Sequence, residues 1–285
     1  MIDVHTHPVL VQEIMDRDGD MLRKVREVFD LQNRPQPLET FFLQMEVSGV
    51  DRSVLLPIDC TTSRGCKIYS NEQIAQLVEM GEGKFIGFAS VDPQSKTAPD
   101  DLEAAVKDLG LEGLKLAPGI QEFSPDQPGV FPVYERAAEL GIPVMMHSGL
   151  SWEPGSQLEP CRPLLLERVA VKFPELRICI AHFGWPWIME TAALMMKYPN
   201  IYADTSCLYA DTPMEFLNFT FSKQIPTTWI ERTLRNQVMF GSNYPRIETV
   251  KMVDAVRSLG FSRGAERLIF EDNARKFIGL GEVSD

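Results

Sequence analysis

The sequence predicts an α/β fold, a (β/α)8 TIM barrel that occupies residues 1–285 as one domain. Three observations predict it. Eight short β-prone runs alternate with helical stretches along the chain. Several of those runs are apolar nearly throughout, as strands covered on both faces of a parallel sheet should be. The length of 285 residues is near the ~250 usual for such a barrel.

The first run is IDVHTH (2–7), and a long excursion over 10–36 follows it. RSVLLPID (52–59) is the second, ahead of NEQIAQLVEMG with apolar residues at helical spacing. KFIGFASVD (84–92) precedes APDDLEAAVKDLG, a helix opened by Pro99 and two acids and closed by Gly110. LEGLKLAPG (111–119) leads to VYERAAELGIP, which ends at Gly141 with Pro143 just beyond. IPVMMHSG (142–149) and LRICIAHFG (176–184) flank the helical LLLERVAVKF. NIYADTS (200–206) opens a second excursion over 207–236, and QVMFGSNYP (237–245) is the last strand, ahead of VKMVDAVRSLG. The excursions after strands 1 and 7 are suited to cover the barrel mouth. An open, doubly wound sheet is the alternative fold, but no G-x-G-x-x-G follows the first strand, which disfavours a dinucleotide site. No low-complexity linker or internal repeat divides the chain.

Composition narrows the function. A formal charge of −12 disfavours nucleic acid or an anionic membrane as partner, while a local arginine can still bind a small anion. No apolar run approaches the roughly 20 residues that span a bilayer, and Asp3 with no basic stretch is unlike a signal peptide. The five cysteines, Cys60, Cys66, Cys161, Cys179 and Cys207, form no C-x-x-C pair. They read as reduced, incidental thiols of a cytoplasmic protein. The partner expected is a small-molecule substrate, and a homo-oligomer is compatible with the sequence.

Half of the four histidines stand one residue apart on strand 1. At i and i+2, His5 and His7 face the same way, inward with Asp3, while Ile2 and Val4 face the helices. Neighbouring imidazoles suit a divalent cation, since each offers a neutral lone pair. His147 ends strand 5 and His182 ends strand 6, so all four meet at the C-terminal mouth, where such barrels carry their chemistry. Singly, each would read as a packed, hydrogen-bonded residue; together they read as a metal or catalytic cluster.

With DVHTH, GLKLAPG, MMHSG, AHFG, IYADTS, FGSNYP and EDNARKFIGL in this order, nearly the whole chain resembles the amidohydrolase superfamily, in its amidohydrolase-related branch. The resemblance implies an enzyme with His5, His7 and His147 as metal ligands, usually of zinc, with manganese the other candidate. It makes His182 a catalytic histidine or a second-metal ligand. Lys115 matches a lysine that is carboxylated in binuclear relatives, and one metal is expected here. Asp204 is expected to orient a ligand or the lysine. The family's strand-8 aspartate, a metal ligand and proton carrier, is matched by Asn243. An amide oxygen can be a weak ligand, but an amide is no general base, so metal binding should be weakened. An alternative base, a metal-free enzyme and an inactivated Asp→Asn variant all fit this departure.

The leading expectation is a metal-dependent hydrolase of a small carboxylate-bearing ester, lactone or amide, with His182 as acid or base. Arg246, Arg162 and Arg64, in inferred loops, are candidates to bind the substrate carboxylate, Arg246 foremost. Asp59 and Asp92 also end strands, and Trp152, Trp185 and Trp187 could wall an aromatic substrate. The alternatives are a non-oxidative decarboxylase of an aromatic or unsaturated acid at the same site, a metal-free lactonase, and a binding protein that has lost its metal.

Overall fold

The computed structural model describes residues 1–206 and 212–281, so Cys207 and the start of the second excursion lie outside the described residues. Eight parallel strands follow one another around a ring. They are β1 (Ile2–Thr6), β2 (Arg52–Leu55), β3 (Phe85–Gly87), β4 (Leu114–Leu116), β5 (Val144–Met146), β6 (Ile178–Ile180), β7 (Ile201–Asp204) and β8 (Val238–Met239). Regular pairing runs β1–β2–β3 and β4 through β8, in two arcs.

Backbone hydrogen bonds join the arcs at both seams. Beyond β3, Ala89 bridges Leu114, and the Lys115 amide donates to the Ala89 carbonyl at 2.7 Å. Beyond β8, the Val4 amide donates to the Phe240 carbonyl at 3.0 Å and Thr6 bridges Tyr244. Isolated bridges thus link the two arcs of the expected cylinder at both seams, without continuous ladders there among the described residues.

The pleat sorts side chains. Register places Lys115, Met145, Cys179 and Tyr202 in one row across β4 to β7. Their neighbours Leu114, Leu116, Val144, Ile178 and Ile180 join the large cluster shared with the helices, so this row faces the other way. A smaller apolar cluster joins Ile2, Val54, Phe88, Met145 and Tyr202 to Phe277 in the C-terminal helix Asn273–Ile278.

One expected strand breaks. The run 52–59 leaves the barrel after Leu55, and Pro57, which has no N–H to give, interrupts the ladder. Ile58–Cys60 then pairs antiparallel with Cys66–Ile68 in a hairpin beside the mouth. Asp59 accordingly belongs to that hairpin, where it pairs with Lys67 at 2.8 Å. The first excursion folds into the short helices Gln12–Met15 and Met21–Glu27; the second holds Pro213–Asn218. A third excursion, absent from the sequence reading, runs from Gly149 to Leu166 after β5, with two 3-10 turns. No helix among the described residues is long and apolar enough to cross a membrane.

Candidate active site and metal centre

At the C-terminal ends of the strands the four histidines meet, all buried. His5 and His182 have ring centroids 4.7 Å apart, His5 and His7 5.1 Å, and His147 and His182 5.0 Å. Hydrogen bonding assigns the protons. The Nδ1–H of His5 donates to Oδ2 of Asp204 at 2.8 Å, and that of His7 donates to the Leu56 carbonyl at 2.9 Å. Each Nε2 is left with its lone pair, and the two Nε2 atoms lie 3.2 Å apart.

Two lone pairs so close repel unless a proton or a cation stands between them. A proton is disfavoured, because burial, aided by the Lys115 charge and neighbouring imidazoles, holds His5 and His7 well below the ordinary value. The pair therefore fits a divalent metal, with Asp204 and the Leu56 carbonyl orienting the rings. A second grouping exists: ligand atoms of His5, His182 and Asp204 all lie within 4.8 Å of one another.

Asp204 already has other work. Its Oδ1 accepts the backbone amides of His182 at 2.8 Å and Ser206 at 3.0 Å. Nδ1 of His182 meets the Ser206 hydroxyl at 2.7 Å, and the Ser206 carbonyl lies 3.2 Å away. His182 sits at φ +57 in the turn after β6, and burial keeps its ring neutral. His147 turns Nε2 toward the Leu150 carbonyl at 3.1 Å, leaving only Nδ1 to face a metal. Burial lowers its pKa to about 4.

Asn243 lies in the same cavity, almost fully buried, at φ +64. Asparagine tolerates this left-handed conformation better than most residues. Its amide N–H donates to the His5 carbonyl at 2.9 Å, tying β1 to the chain after β8. Asp3 reinforces the tie by accepting the His5 and Ser242 amides at 3.1 and 2.9 Å, while burial raises its carboxyl to about 7.

Two cations face this cavity. Lys115 is buried, and its Nζ has no hydrogen-bond partner among the described residues. Burial lowers its pKa to about 8. Arg246 lies 4.7 Å over the Phe29 ring and donates to the Asp30 carbonyl at 3.2 Å, so the first excursion holds it in place. The other two expected arginines are elsewhere. Arg162 pairs with Glu190 in an exposed ion pair, and Arg64 pairs with Glu122; neither lines the cavity. Asp92 accepts the Thr62 amide and has no place in the lining.

Glu153, Phe29 and Ser206 were missed as site residues. Glu153 and Phe29 line the cavity with Trp152, while Trp185 and Trp187 do not. Ser206 stood in the IYADTS motif as a hydroxyl two residues beyond Asp204, the one readable signal among the three.

A family model described as Amidohydrolase matches residues 2–280. A 2-amino-3-carboxymuconate-6-semialdehyde decarboxylase of Dictyostelium discoideum is 22% identical over 241 residues, spanning 74% of this chain and 66% of the relative. A 2-keto-4-carboxy-3-hexenedioate hydratase of Sphingobium sp. is 25% identical over 268 residues, spanning 82% and 69%. The match thus covers about two thirds of each curated relative. A TIM-barrel protein of Bordetella bronchiseptica superposes with a TM-score of 0.73 at 22% identity, covering 98% of both chains. Further structures of this fold include decarboxylases and a probable 2-pyrone-4,6-dicarboxylic acid hydrolase, and one decarboxylase variant with an Asp→Asn change holds manganese.

Proposed function

The chain belongs to the amidohydrolase family, a family of enzymes acting on small molecules, and from that premise we propose that it is a metal-dependent lyase. The reaction we assign is non-oxidative decarboxylation of a small unsaturated or aromatic carboxylic acid. This reverses the order in which the sequence ranked hydrolysis and decarboxylation. What carries the reading is a cavity lined by two cations, buried Lys115 and half-buried Arg246, beside Asn243, a residue after β8 that cannot take a proton. Both curated relatives act on unsaturated acids, and both names are those of lyases.

His5 and His7 would hold one divalent cation, with His147 through Nδ1 and the Asn243 carbonyl oxygen as further candidate donors; zinc is the first choice and manganese the second. When bound, the cation supplies positive charge against which a substrate oxygen is fixed and carbanion character is stabilised. Arg246 binds a substrate carboxylate, and Phe29 keeps its guanidinium from swinging away. Cleavage of the bond to the departing carboxylate leaves an electron pair on carbon, which needs one proton. The cavity histidines are neutral, and arginine does not release its proton. Lys115, charged at neutral pH yet more acidic than an ordinary lysine, is the group suited to give it.

Hydrolysis of a lactone is the second reading. It is favoured by His182, whose Nδ1 is engaged by Ser206 so that Nε2 stands unprotonated as a base. The deciding experiment is a substrate panel of hydroxybenzoates, carboxylated muconates and lactones, run on protein of measured metal content. Carbon dioxide released with a single solvent deuteron in the product supports the lyase. Ring opening without carbon dioxide would replace it with the hydrolase.

A further inference from the structure

The hairpin beside the mouth carries a feature that the site does not use. Cys60 and Cys66, six residues apart in sequence, stand directly opposite each other across its two strands. Their sulfurs are 3.9 Å apart, and both thiols are free. Directly opposed residues of an antiparallel pair have Cα atoms about 4.5–5.5 Å apart, inside the 4.4–6.8 Å span of disulfides. The frame needs no rearrangement, since the adjacent Asp59–Lys67 pair already pins the strands together. Side-chain rotation alone can close the gap. The Cys60–Cys66 pair is assigned by this geometry, we propose, as a reversible disulfide site formed by mild oxidation of the folded protein.

The surroundings divide the labour. Cys60 is buried, whereas Cys66 is partly open to solvent. The thiol hydrogen bond from Cys60, together with the Lys24 and Arg23 charges, lowers Cys66 to about 7 against its burial, and the same bond raises Cys60. Cys66 is therefore the nucleophile and Cys60 the resolving thiol. With hydrogen peroxide as oxidant, the Cys66 thiolate attacks one peroxide oxygen, giving a sulfenic acid and hydroxide. The Cys60 sulfur then attacks the Cys66 sulfur, its proton leaves with the displaced hydroxyl as water, and two electrons have passed from the thiols to peroxide. Incidental thiols, as the sequence suggested, would not be paired in this way. The bond would fix the intervening turn Thr61–Arg64, whose Arg64 guanidinium lies against Gly155 of the loop bearing Trp152 and Glu153.

The test is the intact mass of native protein after a few equivalents of peroxide, followed by alkylation and tryptic mapping. The expected result is a loss of about 2 Da, a peptide linking Cys60 to Cys66, and return to the starting mass with dithiothreitol. In Cys60→Ser, Cys66 should instead stop as a sulfenic acid that dimedone traps. Oxygen addition at Cys66 of the unsubstituted protein, with Cys60 still alkylated after denaturation, would overturn the proposal. So would the same 2 Da loss in Cys60→Ser.

Discussion

At the scale of the residue, protonation decides what each cavity group can do. His5 and His7 favour a metal, because their Nδ1 protons are committed and two lone pairs face each other. His5→Gln should lower metal content at least about tenfold, roughly 1.4 kcal/mol or more of binding, read by elemental analysis after dialysis. Asn243→Asp restores a negative charge beside the site and should raise metal affinity by a comparable factor; unchanged affinity would place Asn243 outside the ligand set. Lys115 carries a different expectation. Its proton is present below about 8 and lost above it, so turnover should fall as pH rises through that value, and Lys115→Met should lose turnover with metal content intact. The histidines were legible because four residues of a scarce type ended three strands. Glu153 and Phe29 were not, because nothing local marks a glutamate or phenylalanine in an excursion as facing a cavity.

At the scale of the element, the strands fix the histidines and the excursions shape the cavity. Alternating strand and helix signals made the barrel readable, since buried parallel strands are apolar throughout and helices are not. Pro57 hid the hairpin: a continuous apolar run reads as one strand, and only pairing partners distant in sequence reveal the break. Arg246 shows an element acting on a side chain. Its guanidinium is packed on Phe29 and bonded to carbonyls of the first excursion, so that excursion would set where a substrate carboxylate binds in the role proposed for Arg246. Phe29→Ala should therefore raise KM several-fold with kcat changed less, about 1 kcal/mol of lost cation–π contact and positioning. Arg162→Ala, in an exposed ion pair away from the cavity, should change neither by more than about twofold.

At the scale of the whole molecule, the cluster costs stability that a metal would offset. Burial holds His5, His7 and His182 well below the ordinary histidine value and His147 at about 4. A depressed pKa means that the unfolded chain takes up protons that the folded chain refuses. Stability is then full above about 6.5 and is lost as pH falls toward the folded values, at up to ~1.4 kcal/mol per pH unit for each histidine. Asp3 runs the other way: raised to about 7, it favours folding below its unfolded value near 4 and loses that contribution as pH rises through 7. One carboxyl opposes four imidazoles, so the histidines dominate. The thermal midpoint of the metal-free protein should fall steadily between pH 6.5 and 4.5 in a calorimetric series. At pH 7, metal at 100 times its Kd should add about 2.7 kcal/mol, a rise of roughly 5–10 °C. That gain should vanish below pH 5, where protons displace the metal from the imidazoles. A midpoint unchanged by zinc and by manganese at pH 7, in protein shown to be metal-free, would remove the cation from the site and leave the four neutral histidines as packing alone.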